Sequence, residues 1–193
     1  MLKNKKNSIF NTAYITGESL DCNLLWMIPF LDGLNKSLNI KRLIFDKKLN
    51  SFPFNNKSTK KILDKYQIFE NSYTARNYFN KFFLKLKILF YYFIQIAKFI
   101  FFFDKKKVLK KDWYELQLYH SYWDSCLISM NDNQSKPNFF QKLKNAILIC
   151  ETIDNFLKIK DKLAYVFLAH TVYKYRTIFA LCRKFNIKIG RAH

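Results

Sequence analysis

Leu163–Ala169, LAYVFLA, is a continuous apolar run bounded by charged residues on one side and by His170 on the other. A short run of this kind is typical of a strand that is buried on both faces of a parallel sheet. Thr12–Ile15 and Ile40–Phe45 are two further β-prone runs, and Ile187–Ile189 is predicted to open another strand. The sequence therefore predicts several short strands in one parallel sheet.

Segments with helical periodicity lie between these runs. The first of them has apolar residues at Leu20, Leu24, Leu25, Ile28, Leu31, Leu34 and Leu38, and Ser19 is its predicted N-cap. The same spacing predicts helices over Phe139–Leu157, with Pro137 in its first turn, and over Val172–Phe185, whereas Trp113–Tyr119 is ambiguous. Strands joined by helices in this way form the βαβ units of an α/β fold.

Composition is that of a globular chain with a strongly basic balance. Of 193 residues, 50% are hydrophobic, which argues against wholesale disorder, and the formal net charge is +20. Such a charge is compatible with a nucleic-acid partner or an anionic membrane surface. Lys, Asn, Ile, Phe and Tyr are all abundant while Gly and Pro number 3 each, so compositional drift is an alternative source of charge. No RNA-binding or zinc-finger pattern is present, and no specific nucleic-acid partner is expected.

Cysteine spacing and the N-terminus give the expected environment. Cys22, Cys126, Cys150 and Cys182 are scattered singly, so we expect no metal site and no redox motif. The apolar run near the basic N-terminus is too short for a secretory signal. The sequence predicts a cytoplasmic protein with reduced cysteines, and a peripheral position at the inner membrane face stays open.

The middle of the chain, from about Asn55 to Lys111, is predicted to be helical, strongly apolar and inserted into the α/β fold. Its span candidate Ile88–Phe103 contains Gln95 and Lys98 and falls short of the roughly 20 apolar residues that cross a bilayer. On a helical wheel the polar residues Lys81, Lys85, Lys87, Gln95 and Lys98 share one half, and Phe83, Leu86, Leu89, Phe90, Phe93, Ala97, Ile100 and Phe101 share the other.

Three interpretations of this segment stay open. The helix packs on the sheet with its lysines in water, lies on an anionic leaflet, or spans the membrane. For the leaflet the predicted membrane contacts are Lys85, Phe90, Phe93, Lys98 and Ile100.

Two turns follow predicted strands at positions where α/β proteins bind ligands. Gly17, Glu18 and Ser19 end the first strand and open a helix, which either binds substrate or only makes a tight turn and a cap. His170 and Tyr173 follow LAYVFLA. There the imidazole is a candidate acid–base catalyst, and the alternative is a local capping segment.

The segment YHSYWDSCL, residues 119–127, offers a carboxylate and an aromatic platform for a sugar. Asp124 is its candidate catalytic residue, and a half-buried turn is the alternative. No paired carboxylates and no nucleophile motif stand out elsewhere.

Three stretches together resemble a family of bacterial surface-carbohydrate or capsular polysaccharide biosynthesis proteins with a glycosyltransferase-B-like organisation. They are TAYITGESLDCNLLWMIPFLDGL, YHSYWDSCL and VFLAHTVYKYRTIFALCRKFNIKI. The second departs from the family pattern, since Tyr119 and His120 stand where the family has Gly-Asp. In the third, Ala169 stands where the family tends to have Ser or Asn.

The resemblance implies a Rossmann-like parallel sheet flanked by helices, as a single N-terminal, acceptor-side domain over residues 1–193. Its implied partners are a carbohydrate or lipid-linked acceptor and a missing C-terminal domain. A nucleotide sugar is the implied substrate, and no cofactor is expected. The abrupt end after the last strand suggests a truncated product, inactive alone. The alternative function is a non-catalytic, membrane-associated interaction protein that uses the basic helix.

Overall fold

The computed structural model describes residues 11–16, 33, 38–45, 68–71, 78–101, 112–131, 134–168 and 174–191. The chain divides into two compact units. A sheet unit takes Met1–Thr74, Asp161–Ala169 and Ile187–His193, and a helical unit takes Ala75–Lys160 and His170–Asn186. The chain is therefore mixed α/β, as predicted, while a single domain over residues 1–193 stays a prediction.

The sheet unit contains five parallel strands among the described residues. Their order across the sheet is β3-β2-β1-β4-β5, and every neighbouring pair is parallel. The strands are β1 (Asn11–Thr16), β2 (Ile40–Phe45), β3 (Ile68–Asn71), β4 (Tyr165–Leu168) and β5 (Lys188–Arg191). The four strands predicted from apolar runs are confirmed within one or two residues.

Strand β1 is buried on both faces of the sheet. Successive side chains of a strand point to opposite faces, so the burial of consecutive residues reports on both. Thr12 and Tyr14 on one face and Ala13 and Ile15 on the other are all buried. Val166–Leu168 in the neighbouring β4 are buried as well. This pattern explains why both strands are continuous apolar runs rather than alternating ones.

Strand β3 corrects the prediction that residues 55–111 are helical throughout. Ile68–Asn71 pairs with Arg42–Phe45 of β2 at the edge of the sheet. Only two apolar residues, Ile68 and Phe69, mark this strand, and periodicity cannot separate so short a run from a helix. The free edge of β2 determines the conformation here, rather than the local pattern.

A glycine provides the close contact between β4 and β5. Gly190 is the register partner of Phe167, and a Cβ atom at Gly190 would lie 2.3 and 2.4 Å from ring carbons Cε1 and Cδ1 of Phe167. Phe167 is buried, so its ring has little room to move. The ring therefore occupies the space that a side chain at residue 190 would need.

We predict that Gly190→Ala destabilises the chain by about 1–3 kcal/mol, since overpacking a closed contact costs that much. Urea unfolding followed by circular dichroism measures the change. Gly33→Ala is the matched control, because Gly33 is exposed and a Cβ there meets nothing within 4 Å. Equal unfolding midpoints for the two variants would contradict this packing.

The helical unit contains five helices among the described residues. They are α1 (Tyr78–Tyr91), α2 (Phe93–Phe101), α3 (Trp113–Ile128), α4 (Phe139–Ile159) and α5 (Lys174–Lys184). Helices α3 and α5 pack together, and α4 contacts the other four. The predicted helices over Phe139–Leu157 and Val172–Phe185 are confirmed as α4 and α5. The ambiguous segment from Trp113 is the first part of α3.

The turn between α3 and α4 is held by side chains from the first turns of α4. Asn138 and Gln141 form a reciprocal capping box, so Pro137 precedes the N-cap instead of lying in the first turn. Gln141 Nε2 donates to the carbonyl of Ser129 at 2.7 Å. Asn145 Nδ2 donates to Ser129 Oγ at 2.8 Å and is buried.

We predict that Asn145→Ala destabilises the chain by about 1–3 kcal/mol, because it leaves two partly buried oxygens, Ser129 Oγ and the Gln141 carbonyl, without their donor. Lys144→Ala is the control, since Lys144 is the exposed neighbour on the same helix. Urea unfolding of the two variants tests this, and a loss for Lys144→Ala as large as that for Asn145→Ala would contradict a specific role of the amide.

Candidate functional site

The carboxyl ends of β1 and β4 lie side by side. Thr16 is the register partner of Leu168, and the two strands run in parallel. From β1 the chain proceeds to β2 and β3 on one side of the sheet, whereas β4 and β5 lie on the other side. The order therefore reverses between β1 and β4, and open α/β sheets bind ligands at the carboxyl ends of the strands that flank such a reversal.

The predicted substrate-binding and catalytic residues of this edge follow the two strand ends in sequence. Gly17, Glu18 and Ser19 come directly after Thr16, and His170 and Tyr173 come two and five residues after Leu168. All five lie outside the described residues. Their roles stay predictions, and the structure supplies the pairing of the strands that precede them.

Asp124 does not lie in a turn, as one interpretation of its segment had it. It lies inside helix α3 of the helical unit and forms an ion pair with Arg176 in the first turn of α5, with 3.5 Å between Oδ2 and Nη2. Both side chains are one-quarter exposed. The nearby Thr177 donates from Oγ1 to Ser121 Oγ at 2.8 Å, so this carboxylate belongs to a polar contact that joins α3 to α5.

A basic, aromatic groove lies where α3 begins and α5 ends. Its volume is about 590 Å³, and it is lined by Asp112, Trp113, Tyr114, Arg183 and Lys184. The Arg183 guanidinium lies 5.0 Å from the centre of the Trp113 ring, and the Lys184 ammonium lies 4.2 Å from that of Tyr114. Such stacked cations suit an anionic ligand.

Sequence reasoning missed this groove because its two halves are 70 residues apart in the chain. Tyr114 is half-buried, and burial is the main cause that raises its pKa to about 12. Its hydroxyl is protonated at neutral pH, as that of an unperturbed tyrosine also is. Asp112 accepts from the amide of Glu115 at 2.7 Å, so its carboxylate caps α3.

The predicted membrane contacts fall on different sides of α1 and α2. Phe90 and Phe93 are strongly exposed, whereas Ile100 is only partly exposed. Lys98 pairs with Glu115 at 3.9 Å. Lys85 is exposed, but at about 100° per residue it lies roughly opposite Phe90 on the helix.

Three cysteines lie in the core of the helical unit. Cys126, Cys150 and Cys182 are buried and reduced, and Cys22 lies outside the described residues. Burial is the largest cause that raises the pKa of Cys126 to about 11 and those of Cys150 and Cys182 to about 12. No group of residues that could hold a metal ion occurs in the part of the chain that the structure describes.

No helix among the described residues has the length and apolar character needed to cross a bilayer. Comparison of the chain with protein-family models, with curated proteins and with solved structures returned no match.

We predict that Cys126, Cys150 and Cys182 resist alkylation by iodoacetamide at neutral pH until the chain unfolds, because the thiolate is the nucleophile. Burial raises the pKa values of these thiols in the folded chain. Their contribution to the free energy of unfolding is therefore present below about pH 9 and is lost as pH rises towards 12. Peptide mass mapping of alkylated, folded chain measures the labelling. Fast modification of Cys150 in native buffer would contradict it.

Proposed function

We propose that this chain is a Rossmann-like, acceptor-side domain of surface-polysaccharide biosynthesis that holds a carbohydrate acceptor at the carboxyl ends of β1 and β4. The observation that supports the proposal is the parallel pairing of β1 with β4 at the reversal of strand order, with Thr16 opposite Leu168. Both of these strands are buried, so they form a fixed base from which the following segments extend.

The residues that follow the two strand ends have the chemistry that a sugar requires. Glu18, Ser19 and Tyr173 carry oxygens that accept or donate hydrogen bonds to sugar hydroxyls. In this proposal His170 is the general base that removes a proton from the acceptor hydroxyl, because its unperturbed pKa is close to neutrality. The nucleotide sugar would be held by a partner domain, as the family resemblance implies.

Asp124 has a positioning role in the proposal rather than a direct part in the chemistry. Its partner Arg176 lies in the first turn of α5, which begins at Lys174, directly after Tyr173. The ion pair thus fixes the start of the helix that follows His170 and Tyr173 in sequence.

We predict that titration of the ¹⁵N-labelled chain with lactose, as a carbohydrate acceptor, shifts the amide resonances of Thr16 and Leu168, with binding in the millimolar range. His170→Ala raises the dissociation constant for the sugar by about tenfold, as the loss of one strong hydrogen bond would.

The control for this titration is His120→Ala. His120 is exposed on α3 in the helical unit, and its replacement leaves the affinity unchanged. If lactose does not shift the two strand-end amides, or if both variants bind it like the original chain, the carbohydrate proposal is wrong.

A further inference from the structure

Helices α1 and α2 carry a wide apolar surface that is exposed. We call it the aromatic face, and it consists of Phe82, Phe83, Leu86, Phe90, Phe93, Ile94 and Phe101. The helical hydrogen-bond register continues across Tyr92, whose amide donates to Ile88 and whose carbonyl accepts from Ile96. At about 100° per residue the seven side chains cover an arc of about 120°, as wide as the stripe that normally faces a protein core.

The core contact of these helices lies on their other side. Ile88, Ile96 and Phe99 are buried, and both helices pack on α4. The Phe99 ring stacks on the buried Tyr122 ring of α3, with 4.8 Å between the ring centres. The aromatic face lies away from this core contact. In agreement with this, Phe90 is 84% exposed and Phe101 is 79% exposed.

Basic and aromatic residues border the aromatic face along one side. Lys87, Tyr91 and Lys98 lie four and seven residues apart, which places them on one stripe. The Lys87 ammonium lies 5.6 Å from the centre of the exposed Tyr91 ring. We call these three residues the basic rim.

We infer that the aromatic face and the basic rim dock this chain on the surface of an anionic lipid leaflet. The phenyl rings enter the boundary between headgroups and acyl chains, while the ammonium groups and the Tyr91 hydroxyl stay among the headgroups. The helices lie in the plane of the leaflet. This surface is in the helical unit and does not depend on the carbohydrate site.

Charge is what selects the lipid surface over other occupants. Residues 78–101 contain Lys81, Lys85, Lys87 and Lys98 and no acidic residue, and of these lysines Lys98 lies 3.9 Å from Glu115 of α3. An anionic leaflet attracts such a segment, and each lysine near the surface strengthens binding by roughly fivefold. A second copy of the chain also has a net charge of +20, so like charges oppose pairing of two aromatic faces.

Flotation with vesicles tests the inference, using phosphatidylcholine alone and phosphatidylcholine with about one third phosphatidylglycerol. We expect the full chain to float with the anionic vesicles. Phe90→Ser with Phe93→Ser lowers the partition coefficient by at least about tenfold, because two exposed rings leave the apolar layer. Both residues are exposed, so circular dichroism of the double variant stays unchanged.

Two controls separate the surface from general charge and general hydrophobicity. Lys87→Glu and Lys85→Glu change the net charge equally, but only Lys87 borders the aromatic face. The first variant loses roughly tenfold or more on anionic vesicles, and the second loses clearly less. Phe139→Ser with Phe140→Ser removes an exposed aromatic pair elsewhere, at the start of α4, and leaves flotation unchanged.

Three results would overturn the inference. The first is flotation of the Phe90 and Phe93 double variant like that of the original chain. The second is equal loss for Lys85→Glu and Lys87→Glu, which would assign binding to net charge alone. The third is a dimer in sedimentation velocity that only the Phe90 and Phe93 double variant abolishes, which would make a second copy the occupant.

Discussion

The hydrogen bonding of β1 to a parallel strand on each side is the constraint on which the sheet unit depends. Thr12–Ile15 are buried on both faces, and a buried backbone must satisfy its N–H and C=O groups within the protein. β2 and β4 provide those partners, and the amide of Ala164 extends the ladder by donating to Thr12 at 2.9 Å. Because β1 is central, β2 and β3 lie on one side of it and β4 and β5 on the other. The carboxyl ends of β1 and β4 are therefore neighbours.

The central strands could be predicted from the sequence because burial on both faces produces continuous apolar runs. Edge strand β3 could not be predicted, because its two apolar residues do not distinguish a strand from a helix. Pairing with β2 sets the conformation of this segment. The candidate site divides in the same way. The strands that end at Thr16 and Leu168 follow from local patterns. Their pairing, and the ion pair of Asp124 with α5, depend on long-range contacts that no local pattern encodes.

The orientation of α1 and α2 shows what a helical wheel leaves undecided. The wheel separates a half that carries the lysines from a half of aromatic and aliphatic residues, but apolar residues also occur on the lysine half. Ile88 and Phe99 are among them, and they are the ones that pack on the neighbouring helices. Lysine can accompany them because its long stem carries the ammonium around the contact to water. Which half meets the core is thus set by the shape of the partner helices.

The aromatic residues also explain how so basic a chain places its cations. With 34 basic and 14 acidic residues, most cations have no carboxylate partner to meet. In the described part of the chain several cations stand on aromatic rings: Lys87 on Tyr91, Arg183 on Trp113, Lys184 on Tyr114 and Lys188 on Tyr165. Each exposed pair contributes about 0.5–1 kcal/mol and leaves the positive charge uncompensated. A drift in composition supplies lysines and aromatic residues together. The fold then places many of them side by side, which produces surfaces that are both basic and aromatic.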